Sequence, residues 1–423
     1  MMSDFTLSML EGAAATVSLL LMGIFGVGLL LRLIRVLRGQ EAADGLTAAR
    51  RDVPARGMAA AAAAAVLSRL LIYLLAYAMY RAGGGADGLF ASLEPLWTHW
   101  DTRHYTGIAR EGYTAVGDER LRLVFFPLYP LMMRALSLFT GGNVFMSGVL
   151  VSMLCTAGSA ALLYDLCCMH GGERTARLAL AYFLLSPLSV FLCCAYTEAL
   201  FILLTLAAVC LMRRNHPWLA ALCGACSALT RMPGVIVAGL MIIALIDKIG
   251  KRTVRPADVL ACAGQVLIVF SGLFVYWGIN WAVTGDPFTY MIYQKENWFQ
   301  EPGSFWGSTA NTMHYFLTTY GDGDWLYTWG FQLFYMLGIY LLTARYAHLL
   351  PFDLAAYGFV YIAVVLSPTW LLSAPRYLYA YCALPLLLAG LPLRRRGHGV
   401  LLAASAVLLV IWTYGYAIAV EVL

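Results

Sequence analysis

The chain has 423 residues, of which 61% are hydrophobic and only 12% are charged. Soluble domains carry about 25% charged residues, so this composition excludes a soluble globular enzyme and indicates an integral membrane protein. The formal net charge of +5 is explained by basic loops on the cytoplasmic side of a membrane, and no nucleic-acid partner is expected.

Apolar stretches near the ~20 residues that cross a bilayer recur from end to end, which predicts an all-α polytopic membrane protein with about 12 transmembrane helices. The first stretch, residues 7–37, is too long for a signal peptide and ends in arginines, so we interpret it as a retained span. The second covers residues 57–80. The other predicted spans are 144–169, 176–193, 197–212, 217–230, 233–249, 259–281, 325–345, 351–371, 377–393 and 400–420.

The distribution of charge predicts the orientation of these spans. If the basic linker 38–56, which contains Arg50 and Arg51, is cytoplasmic, most loop arginines and lysines share its side and most acids lie opposite. Both termini and two long loops, residues 81–123 and 283–324, are then non-cytoplasmic. The second loop is rich in aromatics, which suit an interfacial anchor and the wall of a lipid-substrate groove equally well.

Neither the cysteines nor the DGD sequence is interpreted as a functional site. The ten cysteines lie almost wholly inside predicted spans and are not expected to form disulfides. Cys223 and Cys226 spell CxxC, which we interpret as helix packing rather than a redox or zinc site. Asp322 and Asp324 spell DGD in a glycine-rich segment, which predicts a turn.

The stretch WTHWDTRHYTGIAREGYTAVGDERLRLVFFPLYP, residues 97–130, places charges among aromatics beside predicted spans. Charges are costly at a membrane boundary, so this cluster predicts a functional site. His104, Ile108 and Glu111 recur at helical spacing, which predicts a short interfacial helix. The following segment, 125–139, is predicted to be interfacial or re-entrant.

The motifs WD, HY, IA and GY within residues 100–113, followed by FFPLYP, resemble the signature of the PIG-V family of mannosyltransferases. The resemblance continues in order through SPLSVFLCCAYTEALF (186–201), ALTRMPG (228–234), YQKENWF (293–299) and SAPRYLYA (373–380). It divides the chain into an extra N-terminal helix with a basic linker (1–56), a catalytic membrane domain (57–393), and a basic loop with a C-terminal helix (394–423).

The resemblance implies a GT-C-type glycosyltransferase fold whose active site lies in the first large non-cytoplasmic loop. It implies transfer of mannose from a polyprenyl-phosphate-linked donor to a lipid-linked glycan or glycolipid acceptor; eukaryotic members add the second mannose of the GPI anchor. Membrane lipids surround such an enzyme, and a small accessory membrane subunit is a further candidate partner. The short loops favour a bacterial plasma membrane; a eukaryotic protein would lie in the endoplasmic reticulum membrane.

Inverting glycosyl transfer needs a base for the acceptor hydroxyl and positive charge for the departing phosphate. Asp101 is the predicted base, with helix capping as the alternative. His104 is predicted to orient Asp101 or to bind phosphate, and Arg103 flanks them in the donor site. His99, Asp101 and His104 are alternatively ligands of a divalent cation, although arginines alone can counter the phosphate, so no metal is firmly predicted.

Later motifs supply the remaining candidates on the same face. Glu198 is either a helix N-terminal acid or a functional residue, which binds a substrate hydroxyl or acts as a second catalytic carboxylate. Arg231 and Arg376 stand beside prolines on the outer side, where guanidinium groups suit phosphate oxygens; the alternative is an ion pair with Glu198 or Asp101. The predicted donor-binding set is completed by Lys295, Tyr196 and Tyr377.

A transporter or flippase for a lipid-linked glycan is the rival interpretation, because about 12 spans fit many transporters. Two features count against it. The halves of the sequence show no repeat, and the charges cluster at one face rather than at the middle of the membrane.

Overall fold

The computed structural model describes residues 4–45, 55–323 and 325–418. Within these ranges the chain is helical, with no strand beyond an isolated bridge between Pro302 and Pro368. Six of the described helices are long and apolar enough to cross a membrane, and two shorter ones are also apolar. The predicted all-α polytopic membrane protein is therefore confirmed at this level, while the count of twelve spans stays a prediction.

The first two predicted spans are confirmed as α1 (Asp4–Leu37) and α2 (Ala55–Ala82). The arginines at 50 and 51 lie outside the described residues. The first long loop contains α3 (Leu89–Trp97) and α4 (Asp101–Glu111), so the short helix predicted around His104 is confirmed. The segment after it folds into α5 (Leu128–Ser137), which is too short to cross a bilayer.

Helix α6 (Val144–Leu185) covers two predicted spans and is interrupted between them at Gly172, whose φ of 77° is left-handed. Glycine adopts this conformation without a steric penalty, so the chain bends there. The second of these predicted spans, residues 176–193, is too long, because α6 ends at Leu185 and residues Pro187–Leu192 form a 3-10 turn.

A buried arginine that the sequence analysis missed stabilises this turn. Arg69 of α2 is 1% exposed and donates to the backbone carbonyls of Leu184, at 3.0 Å, and Ser189. A carbonyl freed where a helix ends inside a protein needs a donor, and the guanidinium supplies several. Every residue from 187 to 202 is buried, so this turn forms the centre of the core.

The middle of the chain broadly follows the predicted spans. Its helices are α7 (Glu198–Arg213), α8 (Pro217–Ala228), α9 (Ala238–Gly250) and α10 (Pro256–Thr284). Arg213, interpreted as a loop charge, is 2% exposed and forms a bidentate pair with Asp353, at 2.5 and 2.9 Å. This pair therefore ties α7 to the segment that begins at Phe352.

The second long loop is largely helical. It contains α11 (Thr289–Trp298) and α12 (Phe305–Thr318). Helix α12 packs along α1, where Nδ1 of His314 lies 2.8 Å from a carboxylate oxygen of Glu11. The extra N-terminal helix is therefore an integral part of the fold. Asp322 lies in a turn, as predicted, and Asp324 lies outside the described residues.

The C-terminal part holds α13 (Phe331–Tyr346), α14 (Phe352–Val365), α15 (Ala374–Tyr379), α16 (Leu384–Ala389) and α17 (Arg395–Ala417). Two predicted spans are wrong in extent. The span 351–371 ends as a helix at Val365, and the span 377–393 is replaced by the two short helices α15 and α16. Pro375 and Pro385 lie in the first turns of these helices, where a proline cannot continue a preceding helix.

Candidate active site

Asp101 begins α4 directly after a strained residue. Trp100 has a φ of 43°, a left-handed conformation that costs a non-glycine residue about 1–3 kcal/mol and is typical of functional sites. From this turn, Oδ2 of Asp101 accepts a hydrogen bond of 2.7 Å from Nη2 of Arg376 on α15. The Asp101 side chain remains 22% exposed, so part of its carboxylate is still accessible.

Glu198, at the first position of α7, is 1% exposed and also paired. Its Oε1 accepts a hydrogen bond of 2.8 Å from Nη1 of Arg231. The same oxygen lies 3.0 Å from Nε of Arg376, but that ion-pair contact is not aligned as a hydrogen bond. Its Oε2 is buried without a hydrogen-bond partner. The Thr197 side chain does not cap α7, whereas Glu198 is both the acid in the first turn of that helix and a member of the ion-pair network.

We call Asp101, Glu198, Arg231 and Arg376 the charge cluster. Its two acids and two arginines come from four separate segments and balance in charge. Sequence analysis predicted all four as site residues, with ion pairing as the alternative for the arginines, and the structure shows that pairing. Buried ion pairs contribute little net stability because desolvation offsets the Coulomb energy, so the cluster is not explained by stability alone.

Aromatic rings hold the two guanidinium groups in place. Arg376 lies 5.0 Å from the ring of Tyr196 and 5.3 Å from that of Tyr377, and Arg231 lies 4.6 Å from the ring of Tyr377. Such cation–π contacts favour a fixed orientation of the planar group. Both tyrosines predicted for the donor site therefore contact the charge cluster.

Tyr105 is a neighbour of the cluster that sequence analysis missed. Its hydroxyl donates to Oγ1 of Thr197 at 3.4 Å. Burial and, next, the negative charge of Asp101 raise the pKa of Tyr105 well above its usual value, so the phenol stays protonated. Its position four residues after Asp101, on the same face of a helix, was the available signal.

Gln332 of α13, also missed, fixes the start of the helix that carries Arg376. Its Oε1 accepts from the backbone N–H of Ala374 at 3.0 Å, and its Nε2 donates to the carbonyl of Leu371 at 2.6 Å. A third bond, at 3.2 Å, joins Nε2 to Thr312 of α12. The only signal in the sequence was a polar residue within an apolar segment.

Three predicted residues lie outside the charge cluster. His104 stacks on Phe125 at 4.5 Å; burial lowers its pKa, although Asp101 opposes this shift. Arg103 is exposed, and its Nε donates to the carbonyl of Thr98 at 3.4 Å. Lys295 is 64% exposed and pairs with Glu301 at 2.7 Å, so it does not join the arginines.

The alternative metal site is not formed by the proposed side chains. Across residues 4–45, 55–323 and 325–418, no three His, Cys, Asp or Glu side chains group closely enough to hold an ion. His99, Asp101 and His104 are therefore not arranged as a ligand set. All ten cysteines, including Cys223 and Cys226, are free, as expected.

Comparison with known proteins supports the resemblance for part of the chain. Residues 87–257 match the family model described as mannosyltransferase (PIG-V). The chain is 31% identical over 169 residues to GPI alpha-1,6-mannosyltransferase 2 of Mus musculus, covering 38% of this chain and 34% of that protein. The same enzyme from Cricetulus griseus is 32% identical over 166 residues, covering 37% and 32% of the two chains.

The human enzyme of that name is 31% identical over 169 residues, 37% of this chain and 33% of its own. The chain thus spans about a third of the length of the curated relatives it matches. No solved structure matches it. The predicted resemblance to the PIG-V mannosyltransferases is confirmed over residues 87–257, the region that carries Asp101, Glu198 and Arg231.

Proposed function

We propose that this protein is a membrane glycosyltransferase that moves a mannosyl residue from a polyprenyl-phosphate donor to a lipid-linked or glycolipid acceptor. The observation that carries the proposal is the charge cluster, in which paired arginines lie beside a partly exposed carboxylate. The match of residues 87–257 to mannosyltransferases supports the sugar. The proposal includes a GT-C-type catalytic domain over residues 57–393, with the site on the non-cytoplasmic face.

Asp101 acts as the general base. It takes the proton of the acceptor hydroxyl while that oxygen attacks the anomeric carbon of the donor sugar. The bond from the anomeric carbon to the phosphate oxygen breaks with inversion, and the phosphate leaves with the electron pair. Asp101 suits this role because Arg376 holds one of its oxygens by a hydrogen bond while the side chain remains partly accessible.

Arg376 and Arg231 stabilise the negative charge that grows on the departing phosphate. Each guanidinium has five N–H donors, so a phosphate competes with the carboxylates for the same groups. Donor binding then loosens the contact between Arg376 and Asp101 and frees the base. The unpartnered Oε2 of Glu198 accepts a hydrogen bond from a hydroxyl of the donor sugar.

The test uses the full-length protein in lipid nanodiscs with radiolabelled polyprenyl-phosphate mannose and a glycolipid extract. Wild type yields a labelled, solvent-extractable product. Asp101→Asn lowers the rate by about 10²–10⁴-fold, the usual contribution of a general base. Asp118→Asn, which removes a fully exposed acid from the same loop, leaves the rate unchanged.

An active Asp101→Asn variant contradicts the base assignment. If wild type forms no product but carries the labelled donor unchanged across a vesicle bilayer, the flippase interpretation replaces this one. Co-purification with the active protein would identify an accessory subunit.

Sidedness has a separate test. A cysteine introduced by Asp118→Cys reacts with a membrane-impermeant maleimide in intact cells, whereas Arg252→Cys, in the exposed loop after α9, reacts only after lysis. The native cysteines give little background because they are buried or partly buried. The opposite labelling pattern contradicts the proposed orientation.

A further inference from the structure

Two adjoining clefts open beside α3 and the start of α4. The larger, of ≈ 510 Å³, is lined by Ala91, Glu94, Pro95, Thr98, His99 and Arg103. The smaller, of ≈ 270 Å³, is lined by His99, Trp100, Arg103 and His104. Because both are lined by His99 and Arg103, we treat them as one feature and call it the α3–α4 groove.

The groove and the charge cluster are joined through Tyr196. Its hydroxyl donates to the backbone carbonyl of His99 at 3.3 Å, and its ring packs against the guanidinium of Arg376. Asp101 lies in the chain between lining residues, with Trp100 before it and Arg103 after it. The groove is therefore lined by the immediate chain neighbours of the proposed base, although Asp101 itself lines neither cleft.

The charges in the groove do not suit a phosphate. The lining carries one acid, Glu94, which also pairs with Arg110 at 3.7 Å, and one arginine, Arg103; the other polar lining groups are uncharged or weakly basic. The two arginines of the charge cluster provide a far better phosphate site. A balanced groove with carboxylate, guanidinium and aromatic side chains suits a neutral group rich in hydroxyls.

Two unpartnered atoms in the lining favour the same ligand. Nε2 of His99 and Oγ1 of Thr98 are buried without a hydrogen-bond partner. Burial, followed by the charge of Arg103, lowers the pKa of His99, while the Leu96 carbonyl hydrogen-bonds its ring. A carbonyl only accepts hydrogen bonds, so the ring nitrogen that faces it, Nδ1, carries the hydrogen. Nε2 is then an acceptor that can receive a hydrogen bond from a ligand hydroxyl.

We propose that the α3–α4 groove binds the neutral sugar of the acceptor glycolipid, with Glu94, His99 and Arg103 contacting its hydroxyls. The inference rests on the proposed function, because it names the site for the acceptor half of that reaction. It moves Arg103 from the predicted donor-phosphate site to the acceptor site. The donor phosphate stays with Arg231 and Arg376.

The kinetic test compares Glu94→Gln and Arg103→Gln with Arg134→Gln, a control that removes an exposed arginine of α5. Each groove variant raises KM for the acceptor about tenfold, the effect of losing one hydrogen bond to a charged group. KM for the polyprenyl-phosphate donor stays unchanged, and the control matches wild type. A raised donor KM with an unchanged acceptor KM, or no change in either, overturns the proposal.

A binding test separates this inference from the proposed function. Saturation-transfer NMR follows octyl mannoside, octyl glucoside and decyl phosphate with the full-length protein in nanodiscs without donor. The inference is supported if at least one glycoside gives sugar-ring signals with wild type and these signals weaken in both groove variants. This holds even if no mannosyl transfer is observed. The inference is overturned if neither glycoside gives sugar-ring signals, or if the groove variants weaken only the signals of decyl phosphate. This holds even if mannosyl transfer is observed.

Discussion

Arg376→Gln removes the guanidinium that contacts both acids of the charge cluster. The Arg376 side chain is 8% exposed and that of Glu198 is 1% exposed, so solvent screens their pair weakly. Opposite charges 3.0 Å apart attract by about 5.5 kcal/mol at an effective dielectric constant of 20. Breaking a buried pair costs about 3–5 kcal/mol because the remaining charge stays desolvated. We expect the free energy of unfolding to fall by that amount.

A double-mutant cycle distinguishes this charge effect from lost packing. In Glu198→Gln with Arg376→Gln, Asp101 and Arg231 remain as equal and opposite charges, so the double variant loses less stability than the sum of the single variants. We expect a coupling energy of at least about 2 kcal/mol. Denaturant unfolding in one detergent, followed by tryptophan fluorescence, measures each variant.

Lys295→Gln provides the matched control, because it breaks an ion pair whose partners are 64% and 50% exposed. Exposed pairs contribute about 0–1 kcal/mol, so this variant should resemble wild type in stability. It should also retain transfer activity, since Lys295 lies outside the charge cluster. Additive losses in the cycle, or an Arg376→Gln variant as stable as the control, would refute the reasoning.

Three further predictions concern residues around the site. Gln332→Leu should lower kcat at least about tenfold by releasing the start of α15; unchanged kinetics with intact folding would remove its positioning role. Burial lowers the pKa of His104, so the unfolded state binds more protons than the folded state and stability falls as pH drops below about 6.5. Thermal unfolding from pH 7.5 to 5 should therefore show a smaller loss of stability for His104→Gln than for wild type. Equal dependence of stability on pH in the two proteins would contradict this. Arg69→Leu leaves the carbonyls of Leu184 and Ser189 without their donor. It should lower the free energy of unfolding, measured with denaturant, by about 3 kcal/mol. A variant as stable as wild type would show that the turn needs no arginine.

The elements that could be predicted from the sequence are those whose signal is local. Helices α1, α2 and α10 are long apolar stretches with clear ends, and their observed limits agree with the expected spans within a few residues. The short helix α4 followed from residues at helical spacing. Hydropathy failed over residues 351–393, because it measures apolar length and does not register that Pro375 and Pro385 interrupt the helix.

The members of the charge cluster could be predicted, but their arrangement could not. Asp101 stood out as a charge at a membrane boundary, where charges are costly, and Glu198, Arg231 and Arg376 stood out as charges of the later motifs on the same predicted side. The contact between Asp101 and Arg376 joins residues 275 positions apart, and nothing local in the sequence specifies that pairing. Lys295 was included for its charge alone, since its exposure depends on how α11 packs.

The uncharged supports escaped prediction for a related physical reason. Gln332 resembles an isolated polar residue of an apolar helix, and Tyr105 an ordinary aromatic residue of α4, until the fold shows which groups they face. Arg69 was visible as a charge in a predicted span, but its role depends on the place where α6 ends. A hydrogen-bond network of this kind is a property of the fold, so it requires coordinates.

The balance of the charge cluster links donor binding to the reactivity of the proposed base. With two acids and two arginines, the cluster is balanced in charge, and Arg376 occupies one oxygen of Asp101 with a hydrogen bond. A phosphate adds negative charge and draws on the same guanidinium donors, so the arginines must divide their hydrogen bonds between phosphate and carboxylates. Asp101 then gives up part of its hydrogen bond from Arg376, which leaves that carboxylate oxygen free to accept a hydrogen bond from the acceptor hydroxyl. In the proposed reaction, the acceptor hydroxyl is therefore deprotonated only when the donor phosphate is present to receive the attack.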